Sequence, residues 1–384
     1  MEVLRIKVYL TDYILVEGHA DKALMLPFTG DCDCPIFKGK ILPGGADTQR
    51  IDAQDRCALS ARYTLEGVDA QGAPCRIFIE NNAVAASGQE MITHPVIRTD
   101  SKALAWLETA DLTGRIEHVD GHIEIVLSSQ DRPGVKHIAL QRAGLTLRGV
   151  LEKKTEGPGP LALMLHGFGG CMDDREGGWF QEWSDALTRA GMATLRFDFN
   201  GHGRSGGDFP SMTPYNEIED AAVFLRYALS LPDVTEVYLL GHSQGGVIAG
   251  MLAGYYHDAV KKLVMLTPAA SLKEDAREGT CMGVQYDPQR IPEKVQIGPN
   301  AVGGLYYRMA QTLPIYEVTG QFSGPALTIL GGEDRVIRPE SIRRYGTAMP
   351  NCRVAELATL DHGLGGKEHD QAVRMVVDFL TSEE

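Results

Sequence analysis

The chain has 384 residues, 43% of them hydrophobic and 23% charged, which predicts two domains of ordinary globular composition. Its net charge of −14 argues against nucleic acid and anionic membrane surfaces as partners, and no apolar run approaches the roughly 18 residues of a membrane helix. The seven cysteines, at 32, 34, 57, 75, 171, 281 and 352, show no zinc-site spacing, so they are expected as reduced thiols in a protein without metal or cofactor.

The first third reads as strands. Met1-Glu2-Val3-Leu4-Arg5-Ile6-Lys7 alternates apolar and charged residues, as a strand does and a signal peptide does not. The expected location is therefore the cytoplasm. Residues 3–16 are expected to form one long alternating or doubled strand and 37–42 another, followed by the turn Pro43-Gly44-Gly45-Ala46-Asp47. Residues 57–65 and 76–80 flank the turn Asp69-Ala70-Gln71-Gly72, a hairpin pattern, and Asp120-Gly121 sits between strands 112–119 and 121–128. Residues 101–109 fit a helix or a strand. Many short strands at regular spacing predict an all-β, barrel-like domain over 1–132. Phe37-Lys38-Gly39-Lys40-Ile41-Leu42-Pro43-Gly44-Gly45-Ala46-Asp47, Ala61-Arg62-Tyr63, Glu80-Asn81-Asn82 and Trp106-Leu107 resemble a widespread β-barrel family of unknown function. Arg62, Glu80 and His118 are the residues expected to line any cavity in it.

The polar stretch 128–134 is the expected boundary, and strand and helix alternate after it. Strands are expected at 136–141, 145–152, 161–165, 193–197, 236–240, 263–266, 326–330 and 353–357, with helices between them, as at 215–229. That pattern predicts a mostly parallel sheet covered on both faces. Val237-Tyr238-Leu239-Leu240-Gly241-His242-Ser243-Gln244-Gly245-Gly246 is a buried strand, a G-x-S-x-G turn and a helix start. Such a turn raises a serine hydroxyl at a helix N-terminus, so Ser243 is the candidate nucleophile. Leu165-His166-Gly167-Phe168-Gly169-Gly170 follows an earlier strand and can aim a backbone N–H at the same space. Phe168 and Gln244 are the expected donors to an oxyanion. Asp334 in Gly331-Gly332-Glu333-Asp334 is the candidate carboxylate, with Glu333 beside it as an alternative. His362 in Asp361-His362-Gly363 is the candidate base, and the order Ser243, Asp334, His362 suits this architecture. Gly201-His202-Gly203-Arg204-Ser205-Gly206 formally fits a dinucleotide loop, but Pro210 and Pro214 delay the helix such a loop needs.

Residues 267–325 are too long for a plain crossover and are expected to cap the serine. Tyr286, Tyr306, Tyr307, Tyr316, Met282 and Met309 there suit a flat acyl group. With His166-Gly167-Phe168-Gly169-Gly170, Phe197-Asp198-Phe199-Asn200-Gly201-His202-Gly203, Gly283-Val284-Gln285-Tyr286-Asp287-Pro288 and Ala310-Gln311-Thr312-Leu313-Pro314-Ile315-Tyr316, the region 133–384 resembles the bacterial feruloyl (cinnamoyl) esterases. That resemblance implies an α/β-hydrolase fold with an inserted cap, and a Ser243–Asp334–His362 triad. It also implies an oxyanion hole from Phe168 and Gln244, and Asp275 and Tyr306 at the phenolic end of a small aromatic ester. The family often has glutamine where Met282 stands, which removes one hydrogen-bonding group. The expected activity is hydrolysis of feruloyl, caffeoyl or p-coumaroyl esters through an acyl-enzyme. Another carboxylesterase, an acyltransferase, or a binding protein working through the barrel remain alternatives. The barrel itself could serve as a homodimer interface or a wall of the acyl pocket.

Overall fold

The computed structural model describes residues 1–86, 88–172 and 179–382. The chain divides into two units, Met1–Lys136 and His137–Glu384. The boundary expected after residue 132 falls after Lys136 in this division. The stretch expected as a polar linker is partly folded in, with Asp131 buried and Arg132 bridged to Val135.

The first unit has ten strands: β1 Glu2–Leu10, β2 Ile14–Glu17, β3 Lys22–Cys34, β4 Phe37–Ile41, β5 Ala46–Ile51, β6 Cys57–Asp69, β7 Pro74–Ala85, β8 His94–Thr99, β9 Leu112–Val119 and β10 His122–Ser129. They pair in the order β8-β7-β6-β4-β3-β1-β10-β9, with β5 bridging β3 and β6 and β2 lying on β3. Thr93 and Gly114 exchange two backbone hydrogen bonds of 2.9 and 2.8 Å, joining the β8 side to β9. The barrel is thereby closed, which removes its open edges. Side chains alternate with the two-residue period of a strand. In β7, Cys75, Ile77, Ile79, Asn81, Ala83 and Ala85 are buried between more exposed neighbours.

Residues 3–16 take the doubled form, since the chain turns back between Leu10 and Ile14. Two sequence expectations change here. β3 and β5 occupy stretches where no strand is expected. β3 carries Pro27, Gly30 and Asp31, which read as breakers, yet Gly30 is required by the β1 pairing. A Cβ at Gly30 would lie 2.0 Å from the Lys7 carbonyl oxygen. Residues 101–109 hold only a short 3₁₀ turn, Ala105–Glu108, that seats Leu104 and Leu107 in the barrel core.

The second unit is built on an eight-stranded sheet. Its strands are β11 Val135–Arg142, β12 Leu145–Glu152, β13 Gly159–Leu165, β14 Ala193–Phe197, β15 Val234–His242 and β16 Val260–Leu266, followed, after four short strands (β17 Thr280–Cys281, β18 Val284–Gln285, β19 Lys294–Ile297, β20 Asn300–Gly303), by β21 Ala326–Gly331 and β22 Cys352–Leu357. The spatial order is β11-β12-β14-β13-β15-β16-β21-β22. β12 runs antiparallel to β14, and the strands from β14 to β22 run parallel. Nine helices are described: α1 Trp179–Arg189, α2 Pro214–Ser230, α3 Gln244–Tyr255, α4 Leu272–Glu278, α5 Gly304–Ala310, α6 Ile315–Thr319, α7 Pro339–Arg343, α8 Tyr345–Ala348 and α9 His369–Thr381.

The apolar run of β13 explains why both faces are covered. Leu161, Leu163 and Leu165 join one core with α2 and α3. Ala162 and Met164 point the other way, into a core with Phe180, Leu187, Val376 and Leu380 of α1 and α9. β15 divides likewise, Val237 and Leu239 to one side, Tyr238 and Leu240 to the other. Strand order reverses at β13, with β14 on one side and β15 on the other. A crevice therefore opens beyond the carboxyl ends of β13 and β15, where open α/β sheets bind ligands. Residues 267–325 hold α4 to α6 and two small hairpins, with Met212, Val295, Val302, Tyr306 and Tyr307 in a separate apolar cluster.

Candidate active site

Ser243 stands at the end of β15, immediately before α3. Its backbone has φ 53° and ψ −121°, a conformation that costs a non-glycine residue about 1–3 kcal/mol and persists only where surroundings enforce it. The flanking glycines show what enforces it. A Cβ on Gly241 would lie 2.2 Å from the Gly245 carbonyl oxygen, and one on Gly245 would lie 2.3 Å from the carbonyl oxygens of Leu165 and His166. The turn is thus wedged between β13 and its own helix. Gln244 opens α3, so its N–H is one of the helix-start donors without an intrahelical partner. The loop after β13 packs against the same point, since a Cβ on Gly167 would lie 3.1 Å from Ser243 Cβ. Phe168 follows Gly167 in that loop, and its ring meets Tyr306 and Phe209 edge-on.

The three expected side chains come together in one chain of hydrogen bonds. His362 Nε2 lies 2.9 Å from Ser243 Oγ, and His362 Nδ1 lies 2.9 Å from Asp334 Oδ2. The carboxylate can only accept, so Nδ1 carries the proton and Nε2 is free to accept from the serine. The backbone of His362 is fixed as well. Its carbonyl oxygen accepts from His242 Nε2 at 2.8 Å and from Thr267 Oγ1 at 3.1 Å. Asp334 Oδ1 accepts from the N–H groups of Val336 and Ile337. Burial alone would raise the Asp334 carboxyl, but the bonds from His362, Ile337 and Val336 outweigh it and hold it below the usual range. Glu333, the alternative in the sequence, is exposed and pairs with Arg335.

The other histidines of the motif loops fasten backbone. His166 accepts from the Phe199 N–H and donates to Gly167, and His202 donates to Asn200. Burial pushes His166, His202 and His242 down to about 4, so all three are neutral at pH 7. The glycine loop after β14 wraps a carboxylate of its own chain. Asp198 accepts from the N–H groups of Met172 and Arg204, and a Cβ on Gly203 would lie 2.2 Å from it. That leaves no helix N-terminus for a pyrophosphate, and α2 begins only at Pro214.

A cavity of about 230 Å³ lies over Ser243, walled by the His166–Gly170 loop, α4, the α5 tyrosines and the loop after β21. It is smaller than the roughly 300–1,000 Å³ usual for drug-sized ligands, and suits a single ring with a short arm. Asp275, Met282, Tyr306 and Tyr307 line it. Tyr286 packs on Tyr307 in the cap cluster, and Tyr316 belongs to the sheet core, its hydroxyl bonded to the Ser341 carbonyl. Both carboxylate oxygens of Asp275 are already engaged, by Arg338 and by Ser271. Met282 is 62% exposed at the cavity's edge.

Beneath the cavity runs a contact the sequence reading missed. Gln244 Nε2 donates to Glu217 Oε2, and Gln244 Oε1 accepts from the Tyr306 hydroxyl at 2.6 Å. All three residues are buried, and burial, helped by the nearby Asp220 charge, pushes Glu217 up to about 8. Glu217 sits on α2 in an otherwise ordinary helical stripe, so only its place on the apolar face could have betrayed it. Among the described residues, one cluster offers a set of metal-ligand types, Glu182, His369 and Asp370. It is at the surface, and the Glu182–His369 hydrogen bond at 3.2 Å accounts for it.

A doubly covered parallel sheet, a strained serine after its fifth strand in chain order, and a histidine after its last define an α/β-hydrolase fold with an inserted cap. Comparison with known proteins agrees. Residues 160–300 match the α/β-hydrolase fold family, and residues 2–129 match a family described as protein of unknown function DUF3237. The chain is 28% identical to Est1E from Butyrivibrio proteoclasticus in its structure with ferulic acid bound, covering 63% of this chain and 97% of that one at a TM-score of 0.60. A further Est1E structure matches at 26% identity and a TM-score of 0.58, over 64% and 97% of the two chains. The α/β-hydrolase GrgF from Penicillium sp. sh18, 18% identical with a TM-score of 0.53 over 64% and 97%, shares the fold. A UPF0311 protein of Clostridium acetobutylicum is 41% identical over 56 residues, 15% of this chain, and the chain spans about a third of that relative's length.

Proposed function

We propose that the second unit is a serine esterase that hydrolyses hydroxycinnamate esters through an acyl-enzyme. The observation that carries the proposal is the hydrogen-bonded series Ser243–His362–Asp334 at the floor of the capped cavity. His362 Nε2 takes the hydroxyl proton as Ser243 Oγ attacks the ester carbonyl. The carbonyl oxygen gains negative charge and is held by the N–H groups of Phe168 and Gln244. The imidazolium then gives its proton to the departing alkoxide, which leaves as the alcohol. Water repeats the sequence on the acyl-enzyme, releasing the acid and restoring the serine. Asp334 stays ionised throughout and keeps the proton of His362 on Nδ1. The residues need no metal or organic cofactor for these steps.

Two features support a hydroxycinnamoyl acyl group. The cavity is ring-sized and faced by Phe168, Tyr306 and Tyr307, and the similar Est1E binds ferulic acid. Asp275 and Met282 stand where they can meet ring substituents, while the Tyr306 hydroxyl is committed to Gln244. No described helix is long and apolar enough to cross a membrane, and the scattered cysteines suit a reducing compartment such as the cytoplasm. A substrate panel tests the reading. Methyl ferulate, chlorogenate and p-nitrophenyl butyrate are offered to the full chain and to Ser243→Ala. Preferred turnover of the first two, lost in the variant, is expected. Turnover of the p-nitrophenyl ester alone would overturn the acyl assignment.

A further inference from the structure

The barrel holds a cavity that the hydrolase reading does not use. It measures about 410 Å³, far more than a single bound water needs and within the range of small-molecule sites. Strand parity decides what faces it. Of the residues expected as lining, His118 faces the cavity, whereas Arg62 and Glu80 pair with each other at 3.1 Å on the outer face. Their neighbours Tyr63 and Asn81 point inward and are 4% and 2% exposed. The Tyr63 hydroxyl and Asn81 Oδ1 find no hydrogen-bond partner. Buried polar groups are rarely left so, because each forgoes the bond it made to water. Beside them lies Asp47, one oxygen of which accepts from Gln49 at 2.7 Å, and whose carboxyl is pushed up by burial. Phe28, Leu59 and Ile125 supply apolar wall, with the rings of Phe28 and Tyr63 meeting edge-on at 5.4 Å. No lysine or arginine lines the space.

We propose that the barrel cavity is a binding site for a neutral, hydroxylated aromatic molecule, whose hydroxyl hydrogen-bonds to Asn81 and Tyr63 while its ring lies against Phe28 and Leu59. Anions are disfavoured because two carboxyl groups, Asp47 and Glu90, line the space against a single imidazole, His118, and no lysine or arginine. Wholly apolar rings leave the two polar groups unpaired. The proposal stands independently of what the hydrolase unit does.

Four naphthalene probes test it on the full-length protein: 2-naphthol, 2-methoxynaphthalene, 2-naphthoate and 2-naphthylmethylammonium. Affinities come from fluorescence titration, and hydrogen exchange locates the site. We expect 2-naphthol to bind about tenfold more tightly than each of the other three, a factor set by one satisfied buried hydrogen bond. It should slow exchange in β5, β6 and β7. Asn81→Leu and Tyr63→Phe should each remove most of the preference for 2-naphthol over 2-methoxynaphthalene. If Asn81→Leu does not fold, Tyr63→Phe, which removes a single oxygen, carries the test alone. Equal affinity for the methoxy compound, tighter binding of either charged probe, or protection confined to hydrolase peptides would overturn the proposal.

Discussion

Asp334→Asn is the substitution whose consequence follows most directly from the geometry. Asp334 Oδ1 receives two backbone N–H groups, from Val336 at 2.8 Å and Ile337 at 2.9 Å, while Oδ2 receives His362 Nδ1 at 2.9 Å. An asparagine must keep its carbonyl oxygen on the two N–H donors, because an NH₂ group there would face donors only. Its NH₂ is then forced toward His362 Nδ1, which must accept. The imidazole proton moves to Nε2, the atom that receives the Ser243 proton in the proposed mechanism. The site is left folded and wrongly protonated. The expected loss is about 10⁴-fold in kcat, or about 5 kcal/mol of transition-state stabilisation. Initial rates on p-nitrophenyl acetate between pH 6 and 9 measure it, with thermal unfolding as the fold control. Asp334→Ala, which imposes no tautomer, should be no more damaging than the asparagine. Glu333→Gln, at an exposed position, should leave kcat unchanged. An asparagine variant that kept more than about a tenth of wild-type kcat would refute the reasoning.

Four more outcomes follow from the same structure. Folded Glu217 keeps its proton to about pH 8, against an ordinary value of 4.5. Between those values the folded state binds the extra proton, so this group lowers stability by about 1.4 kcal/mol per pH unit as pH rises. Denaturant titration should show the stability advantage of Glu217→Gln over wild type growing from pH 5 to 8, and a constant difference would count against it. His166, His202 and His242 act in the opposite sense. They are held neutral down to about 4 against an ordinary 6.5, so their contribution is complete above pH 6.5 and lost as pH falls toward 4. Unfolding of Glu217→Gln should therefore take up protons at pH 5.5, and calorimetry in buffers of different ionisation enthalpy would reveal a failure. Gly245→Ala should cost at least about 2 kcal/mol in urea titration, because its methyl group meets two backbone carbonyls. Met282→Gln should raise kcat/KM for methyl caffeate over methyl cinnamate about fivefold, one added hydrogen bond's worth, and an unchanged ratio would remove Met282 from the ring contact.

Much of the hydrolase unit was legible because its signals are local. A run of four apolar residues into Gly241-His242-Ser243-Gln244-Gly245 can hardly be anything but a buried strand meeting a helix. Asp334 and His362 follow from where strands end. The choice of Asp334 over Glu333 was not legible, since it depends on which side chain the Val336 and Ile337 N–H groups meet. Nor was Glu217, whose role requires α2 and α3 to pack side by side. In the cap, sequence could supply four tyrosines but not their directions. Tyr306 and Tyr307 line the cavity, whereas Tyr316 turns into the sheet core. The barrel was legible as strands and turns but not as a closed surface. Its closure is one long-range bridge, Thr93 to Gly114, and of the residues expected at its cavity His118 lines it, whereas Arg62 and Glu80 are one position out of phase. Arg62 and Glu80 face outward because Tyr63 and Asn81 face inward, and a strand shows both sets equally until its inner face is known.

The central claim is that Ser243 carries the acyl group. Acid-quenching the full chain during turnover of methyl ferulate, followed by peptide mass spectrometry, tests it most directly. A feruloyl adduct is expected on the peptide containing Ser243, absent from Ser243→Ala, which should also lose turnover. Undiminished turnover by Ser243→Ala, or an adduct on any other residue, would contradict it.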